Sequence, residues 1–326
     1  MVTKRFFGTT ANGEDVFAYT IENDRGISVT VLDYGATLQS AVLPHKGGRF
    51  DVLLGYDTIE EYEQNDGYLG ATVGRYAGRI PDSVLYIGND SFPVTANEGK
   101  NQLHGGRVGF DKRVWGAAVG DDAVTFSLRS EDGEEGFPGT LVCSAVYALN
   151  GDVLTLRYEA SADRATAWNP TNHAYWNLNG HDAGDTCSHR LQIPADRYVP
   201  VGTDCIPTGG DADVSGTRFD FRSLRKIGET YDHSFVLSEG PILLWGEIGV
   251  GLSVTTDRKA VQFYNAKYLG ARGGKGGAQY GPFGAVCLET EGRQTLRDTP
   301  IPEENVLLPG GSVRSETDIR FLFRED

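Results

Sequence analysis

Leu141-Val142-Cys143-Ser144-Ala145-Val146-Tyr147-Ala148-Leu149, Asn150-Gly151-Asp152 and Val153-Leu154-Thr155-Leu156-Arg157-Tyr158 run consecutively through the middle of the chain. Two strand-like runs rich in Val, Leu and Tyr flank an Asn-Gly turn, the strongest short-range signal for a β-hairpin. The same reading extends outward. Ile27-Ser28-Val29-Thr30-Val31-Leu32 is strand-like, Asp33-Tyr34-Gly35-Ala36 turns, and Leu38 to Leu43 runs apolar up to Pro44. Leu252 to Thr255 and Val261 to Tyr264 flank Asp257-Arg258-Lys259 and read as a second hairpin of the same kind. One short helix is expected over Asp57-Thr58-Ile59-Glu60-Glu61-Tyr62, with Asp57 as N-cap and Glu60 three residues on. Helical periodicity beyond two turns is absent, as are linkers, low-complexity tracts and repeats. The expectation is one all-β domain over residues 1–326, a large antiparallel sandwich with very little helix.

Composition agrees. Against a single methionine stand 43 glycines, 15 tyrosines and 15 phenylalanines, which suits many short strands and tight turns. The net charge of -15, without any Lys/Arg cluster, argues against nucleic acid and anionic membranes as partners. Met1 to Gly8 lacks the apolar run of a signal peptide, and no stretch is long enough to span a bilayer. Four cysteines, Cys143, Cys187, Cys205 and Cys287, do not read as a disulfide framework in a chain this size. A cytoplasmic protein, monomeric or homodimeric, is expected.

The chemistry concentrates in Trp168-Asn169-Pro170-Thr171-Asn172-His173-Ala174-Tyr175-Trp176-Asn177-Leu178-Asn179-Gly180. A core strand would not carry so many amides, each needing a partner when buried. A surface strand would not carry Trp168, Tyr175 and Trp176. The mixture suits a pocket wall with one group able to move a proton near neutrality, although a buried aromatic strand with a satisfied histidine is the plain alternative.

Other clusters join it. Gly74-Arg75-Tyr76-Ala77-Gly78-Arg79-Ile80 offers Arg75 either to a ligand hydroxyl or carboxylate, or to a structural ion pair. Asn101-Gln102-Leu103-His104-Gly105-Gly106 places a histidine on a glycine turn, and Ala285-Val286-Cys287-Leu288-Glu289 delivers a glutamate at the end of an apolar strand. In Tyr231-Asp232-His233-Ser234-Phe235, strand alternation lets at most one of Asp232 and His233 face a given pocket. Phe263 and Tyr264 serve equally as core or as pocket wall. The Gly270 to Gly277 loop lacks the phosphate-binding pattern and reads as mobile surface. His181, Cys187 and His189 match no zinc template, so no metal is expected. No activated Ser or Cys nucleophile is visible. The remaining inventory sets His173 and His104 against Glu289 and Asp232, among aromatic faces and hydrogen-bonding side chains. That describes a site for a small sugar, handled by acid–base chemistry without a cofactor.

In this order the clusters resemble the aldose 1-epimerase (galactose mutarotase) family. The resemblance runs through Asp33-Tyr34-Gly35-Ala36, the 70–80 and 101–106 segments, Gly109-Phe110-Asp111-Lys112 and Asp132-Gly133-Glu134-Glu135-Gly136-Phe137-Pro138-Gly139. It continues through Thr171 to Leu178, Tyr231 to Phe235, Cys287-Leu288-Glu289-Thr290 and Leu308-Pro309-Gly310-Gly311. It implies a β-supersandwich and interconversion of the α and β anomers of free aldoses such as galactose and glucose. It also implies roles: Glu289 as general base at O1, His173 as general acid at the ring oxygen, and His104 assisting. Arg75 and Asp232 would hold ring hydroxyls beside Asn172, Trp176 and Phe263. A charged His173, favoured by a carboxylate neighbour, is expected as the proton donor. Gly74 and Gly78 stand where the family usually carries Asn. After Glu289 the chain runs Thr290-Glu291-Gly292-Arg293-Gln294, where the family commonly continues with Gln and then Pro-Asp. Two alternatives keep the fold: an epimerase acting on a hexose 6-phosphate, which would need a basic group drawn from Arg79, Arg107, Lys112, Arg113, Arg272 or Lys275, and a non-catalytic carbohydrate-binding protein.

Overall fold

A computed structural model of the chain describes residues 1–46, 48–228 and 230–324. The hairpin at its centre is real: Leu141–Asn150 pairs with Val153–Ala162 in unbroken register, from Leu141↔Ala162 to Asn150↔Val153. Gly151 takes the left-handed turn position at φ 56°. Along Leu141–Asn150, burial alternates with period two, so Leu141, Cys143, Ala145, Tyr147 and Leu149 face inward.

This hairpin lies inside a nine-stranded sheet that also takes in Ser312–Phe323 and Val250–Thr256. A five-stranded meander, from Val2–Thr9 to Gly48–Asp51, forms a second sheet. A third holds Asp232–Val236, Ala260–Tyr264 and Cys287–Glu291 side by side. All three sheets are antiparallel. One core joins them: Tyr19, Ile21 and Val29 from the meander, Phe126, Tyr147, Leu154 and Leu252 from the large sheet, Phe235, Val261 and Phe263 from the third. Burying such apolar faces against one another, at about 25 cal/mol per Å² removed from water, is what holds stacked sheets together.

Three local expectations are corrected. The helix is Ile59–Glu63, capped by Thr58 rather than Asp57, because Thr58 and Glu61 complete a reciprocal capping box one residue further on. Ile59 and Tyr62 are its buried face. The runs around Asp257-Arg258-Lys259 are not a hairpin. Val250–Thr256 pairs with Ile242–Trp245 and Ser312–Phe323, whereas Ala260–Tyr264 belongs to the third sheet. Asp257 accepts from the Glu316 N–H and Arg258 donates to Asn169, so the turn carries the chain between sheets. The glycine-rich loop is not free surface either. Lys275 is buried, with Nζ 2.8 Å from the Gln39 carbonyl and 2.6 Å from Asp51, and Arg272 binds Asp66 and the Tyr56 hydroxyl. Among the described residues no helix is long and apolar enough to cross a membrane.

Candidate active site

The third sheet builds one wall of a cavity of about 620 Å³, within the roughly 300–1,000 Å³ of small-molecule sites. Antiparallel register places directly opposite residues on one face, and here that face is polar. Asp232 pairs with Tyr264, Ser234 with Gln262, Gln262 with Glu289 and Tyr264 with Cys287. Asp232, Gln262, Tyr264, Glu289 and Glu291 all reach the cavity from it. Residues one position along point the other way. Phe263 is therefore in the core, stacked on Tyr231 at 5.0 Å, and the aromatic at the pocket is Tyr264. His233 likewise turns from the cavity to pack against Phe219.

Alternation also sorts the segment around His173. His173 and Tyr175 face the cavity, with rings nearly parallel 5.0 Å apart. Asn172 and Trp176 lie on the opposite side. Asn172 donates to the Gly70 carbonyl and the Tyr147 hydroxyl, and Trp176 bridges Leu53 and Val286 in the core. Neither lines the pocket; they brace the strand that presents His173.

Arg75 is displaced as well. It is 1% exposed, and its guanidinium donates to Ser130, Thr166 and the carbonyls of Ser130, Glu131, Pro138 and Gly139. No donor is left for a ligand. Arg79, not Arg75, reaches the cavity from this segment, gripped by both oxygens of Glu98 at 2.6 Å. Gly74 has a packing reason, since a Cβ there would lie 2.4 Å from the Phe110 ring.

At the cavity floor His173 Nε2 stands 3.7 Å from Glu289 Oε1, both nearly fully buried. His104 sits edge-on to His173 at 5.3 Å, and Tyr68 packs edge-on to His104 at 4.7 Å. The Gly78 N–H donates to His104 Nδ1 at 3.2 Å, leaving Nε2 as the protonated nitrogen of the neutral ring. Donor atoms of His104, His173 and Glu289 all lie within 4.8 Å of one another, so among the described residues these could hold a divalent transition metal.

Burial governs the protonation of these groups. It pushes His173 down to about 4 and His104 well below the usual histidine range, the latter helped by His173 and Arg79. It pushes Glu289 well above the usual carboxylate range, with Glu291 and Asp232 adding to the effect. The expected imidazolium therefore gives way: desolvation outweighs the pull of the neighbouring carboxylate, and both groups are driven towards their neutral forms. Glu98, Tyr68, Gln262, Glu291 and Gln294 also line the cavity. They escape sequence reasoning because each is an ordinary residue of a strand or loop; only register shows which way they face.

The chain is similar to known proteins over nearly its full length. Residues 18–320 match the family model described as aldose 1-epimerase. An aldose 1-epimerase of Haemophilus influenzae is 36% identical over 96% of this chain and 98% of its own. A galactose mutarotase of Mus musculus is 35% identical over 98% of both. Among solved structures, an aldose epimerase homologue from C. elegans superposes with a TM-score of 0.88 at 30% identity, covering 94% of this chain and 98% of its own. A galactose 1-epimerase from Lactobacillus acidophilus gives 0.88 at 29% identity, covering 100% and 99%.

Proposed function

The chain belongs to the aldose 1-epimerase family, and we propose that its pocket opens and recloses the ring of a free aldose such as galactose or glucose. Glu289 removes the proton from the O1 hydroxyl while His173, protonated, delivers one to the ring oxygen O5, and the C1–O5 bond breaks. The C1–O1 bond becomes a carbonyl. Rotation about C1–C2 then presents the other face, and the reverse transfers close the ring as the second anomer. No atom is gained or lost overall. The observation that carries this reading is the 3.7 Å separation of His173 Nε2 and Glu289 Oε1 on the pocket floor.

The resting pair holds one proton, on Glu289, and the reactive form is the ion pair reached when that proton lies on His173. After ring opening Glu289 is a carboxylic acid and His173 a neutral imidazole, the forms that burial favours in each. Proton transfer through the sugar thus discharges an ion pair that the dry floor disfavours. His104, with Nε2 as donor, assists at the anomeric end, and Asp232 and Arg79 hold ring hydroxyls.

A hexose phosphate is the weaker substrate. The cavity is lined by six carboxyl groups, Asp66, Glu98, Asp204, Asp232, Glu289 and Glu291, against three cations, Arg79, Lys100 and Arg272. Each of those cations is already in an ion pair, with Glu98, Asp82 and Asp66 respectively. We take residues 1–326 as one functional unit, since the lining residues run from Asp66 to Gln294. Polarimetry on a panel of aldoses with glucose 6-phosphate included tests the reading. Acceleration for neutral hexoses, and little for the phosphate, is the expected result; acceleration for the phosphate alone would replace it.

A further inference from the structure

Among the lining residues that the proposed reaction leaves without work, Gly78, Glu291 and Gln294 form one corner. Glu291 lies two positions after Glu289 on Cys287–Glu291, so both carboxylates leave the same face of the strand. Glu291 is 1% exposed, much like Glu289 at 3%, and both border the cavity.

A chain of amides fixes this corner. Gln262 Nε2 donates to Asp232 at 2.7 Å, which turns Gln262 Oε1 towards Gln294. Gln294 Nε2 donates to that oxygen at 3.0 Å and lies 3.4 Å from Glu291 Oε1. Asp232 at one end and Glu291 at the other are thereby held in fixed orientation.

Gly78 opens the corner to the cavity. At φ 76° it occupies the left-handed region. A Cβ built there would meet only Glu291 Oε2 at 3.7 Å and Gln294 Nε2 at 3.8 Å. A side chain at 78 would fill the space in front of both groups; glycine leaves it vacant. The same residue holds His104 through its N–H, so the opening adjoins the catalytic floor.

Resting on the mutarotase reading, we propose that Glu291, oriented by Gln294 and exposed by Gly78, is a specificity-determining residue that reads one ring hydroxyl of the sugar. A carboxyl group can accept from a hydroxyl or, when protonated, donate to one. A site built around such a contact rejects the analogue that lacks the hydroxyl, because the buried partner is left unsatisfied.

The test is kcat/KM for a panel of monodeoxy aldoses, measured for wild type, Glu291→Gln and Gly78→Asn. Wild type is expected to lose about tenfold or more at one deoxy position away from C1, and Glu291→Gln to shrink that penalty several-fold while leaving other positions unchanged. Gly78→Asn, whose side chain tolerates the left-handed region, is expected to raise KM for the parent sugar about tenfold and to flatten the same penalty. A wild-type enzyme active on the parent sugar, with a deoxy profile that both variants reproduce in parallel, would overturn the proposal. A uniform loss across all sugars would also overturn it, showing Glu291 to serve only in holding the site together. A wild type inactive on every aldose would instead remove the mutarotase reading beneath it.

Discussion

Arg75 and Arg79 belong to one short segment yet serve opposite purposes: Arg75 is spent entirely on Ser130, Thr166 and four backbone carbonyls, while Arg79 faces the cavity clasped to Glu98. Removing Arg75 leaves several buried acceptors without a donor, each costing about 1–3 kcal/mol. Arg75→Ala is therefore expected to lower stability by about 3–5 kcal/mol in denaturant unfolding. A variant within about 1 kcal/mol of wild type would show the network to be dispensable.

Arg79→Lys should do the reverse. A lysine keeps the charge but loses the planar fork that both Glu98 oxygens grip. The expected outcome is a rise in KM of about tenfold, with kcat and melting temperature little changed. A fall in kcat alone would move Arg79 from substrate binding to the chemical step.

Protonation gives a third expectation. The acid–base pair works while it holds one proton. Below about pH 4, His173 takes up a second and no base remains; an exposed histidine would bring this limb near 6.5. The profile of kcat/KM should thus stay level from neutrality down to about pH 5 and fall towards 4. An acid limb centred above about 6 would mean that His173 is not desolvated as the geometry implies.

Zinc supplies a fourth. His104, His173 and Glu289 offer donor atoms within 4.8 Å, and the two rings are held neutral; His104 ligates through Nε2 once its proton moves to Nδ1 and the Gly78 N–H is released. Added zinc is expected to inhibit competitively with the sugar and to be reversed by chelation. Inhibition that is insensitive to sugar concentration would place the metal elsewhere.

Much of this was legible in the residues. Leu141 to Tyr158 announced its hairpin because alternation and the Asn-Gly turn act locally, within one pair of strands. The segment around Asp257 misled for the same reason: local pattern cannot tell a turn between paired strands from one that changes sheets, a choice made by contacts with Asn169 and Glu316. At the site, His173, His104, Glu289 and Asp232 converge on the cavity. Asn172, Trp176, Phe263 and Arg75 do not, because membership of a motif says nothing of which face a side chain takes. The neutral state of His173 was hidden too, since burial is a property of the folded chain.

The central claim is that Glu289 and His173 exchange protons with the sugar. The most direct measurement is the polarimetric relaxation of freshly dissolved α-D-galactose with wild type, Glu289→Gln and His173→Asn at equal concentration. Wild type should bring the solution to anomeric equilibrium far faster than buffer, and each variant, still folded by circular dichroism, should lose about 10²–10⁴-fold in kcat. A folded Glu289→Gln or His173→Asn enzyme that retains near wild-type rates would contradict the account.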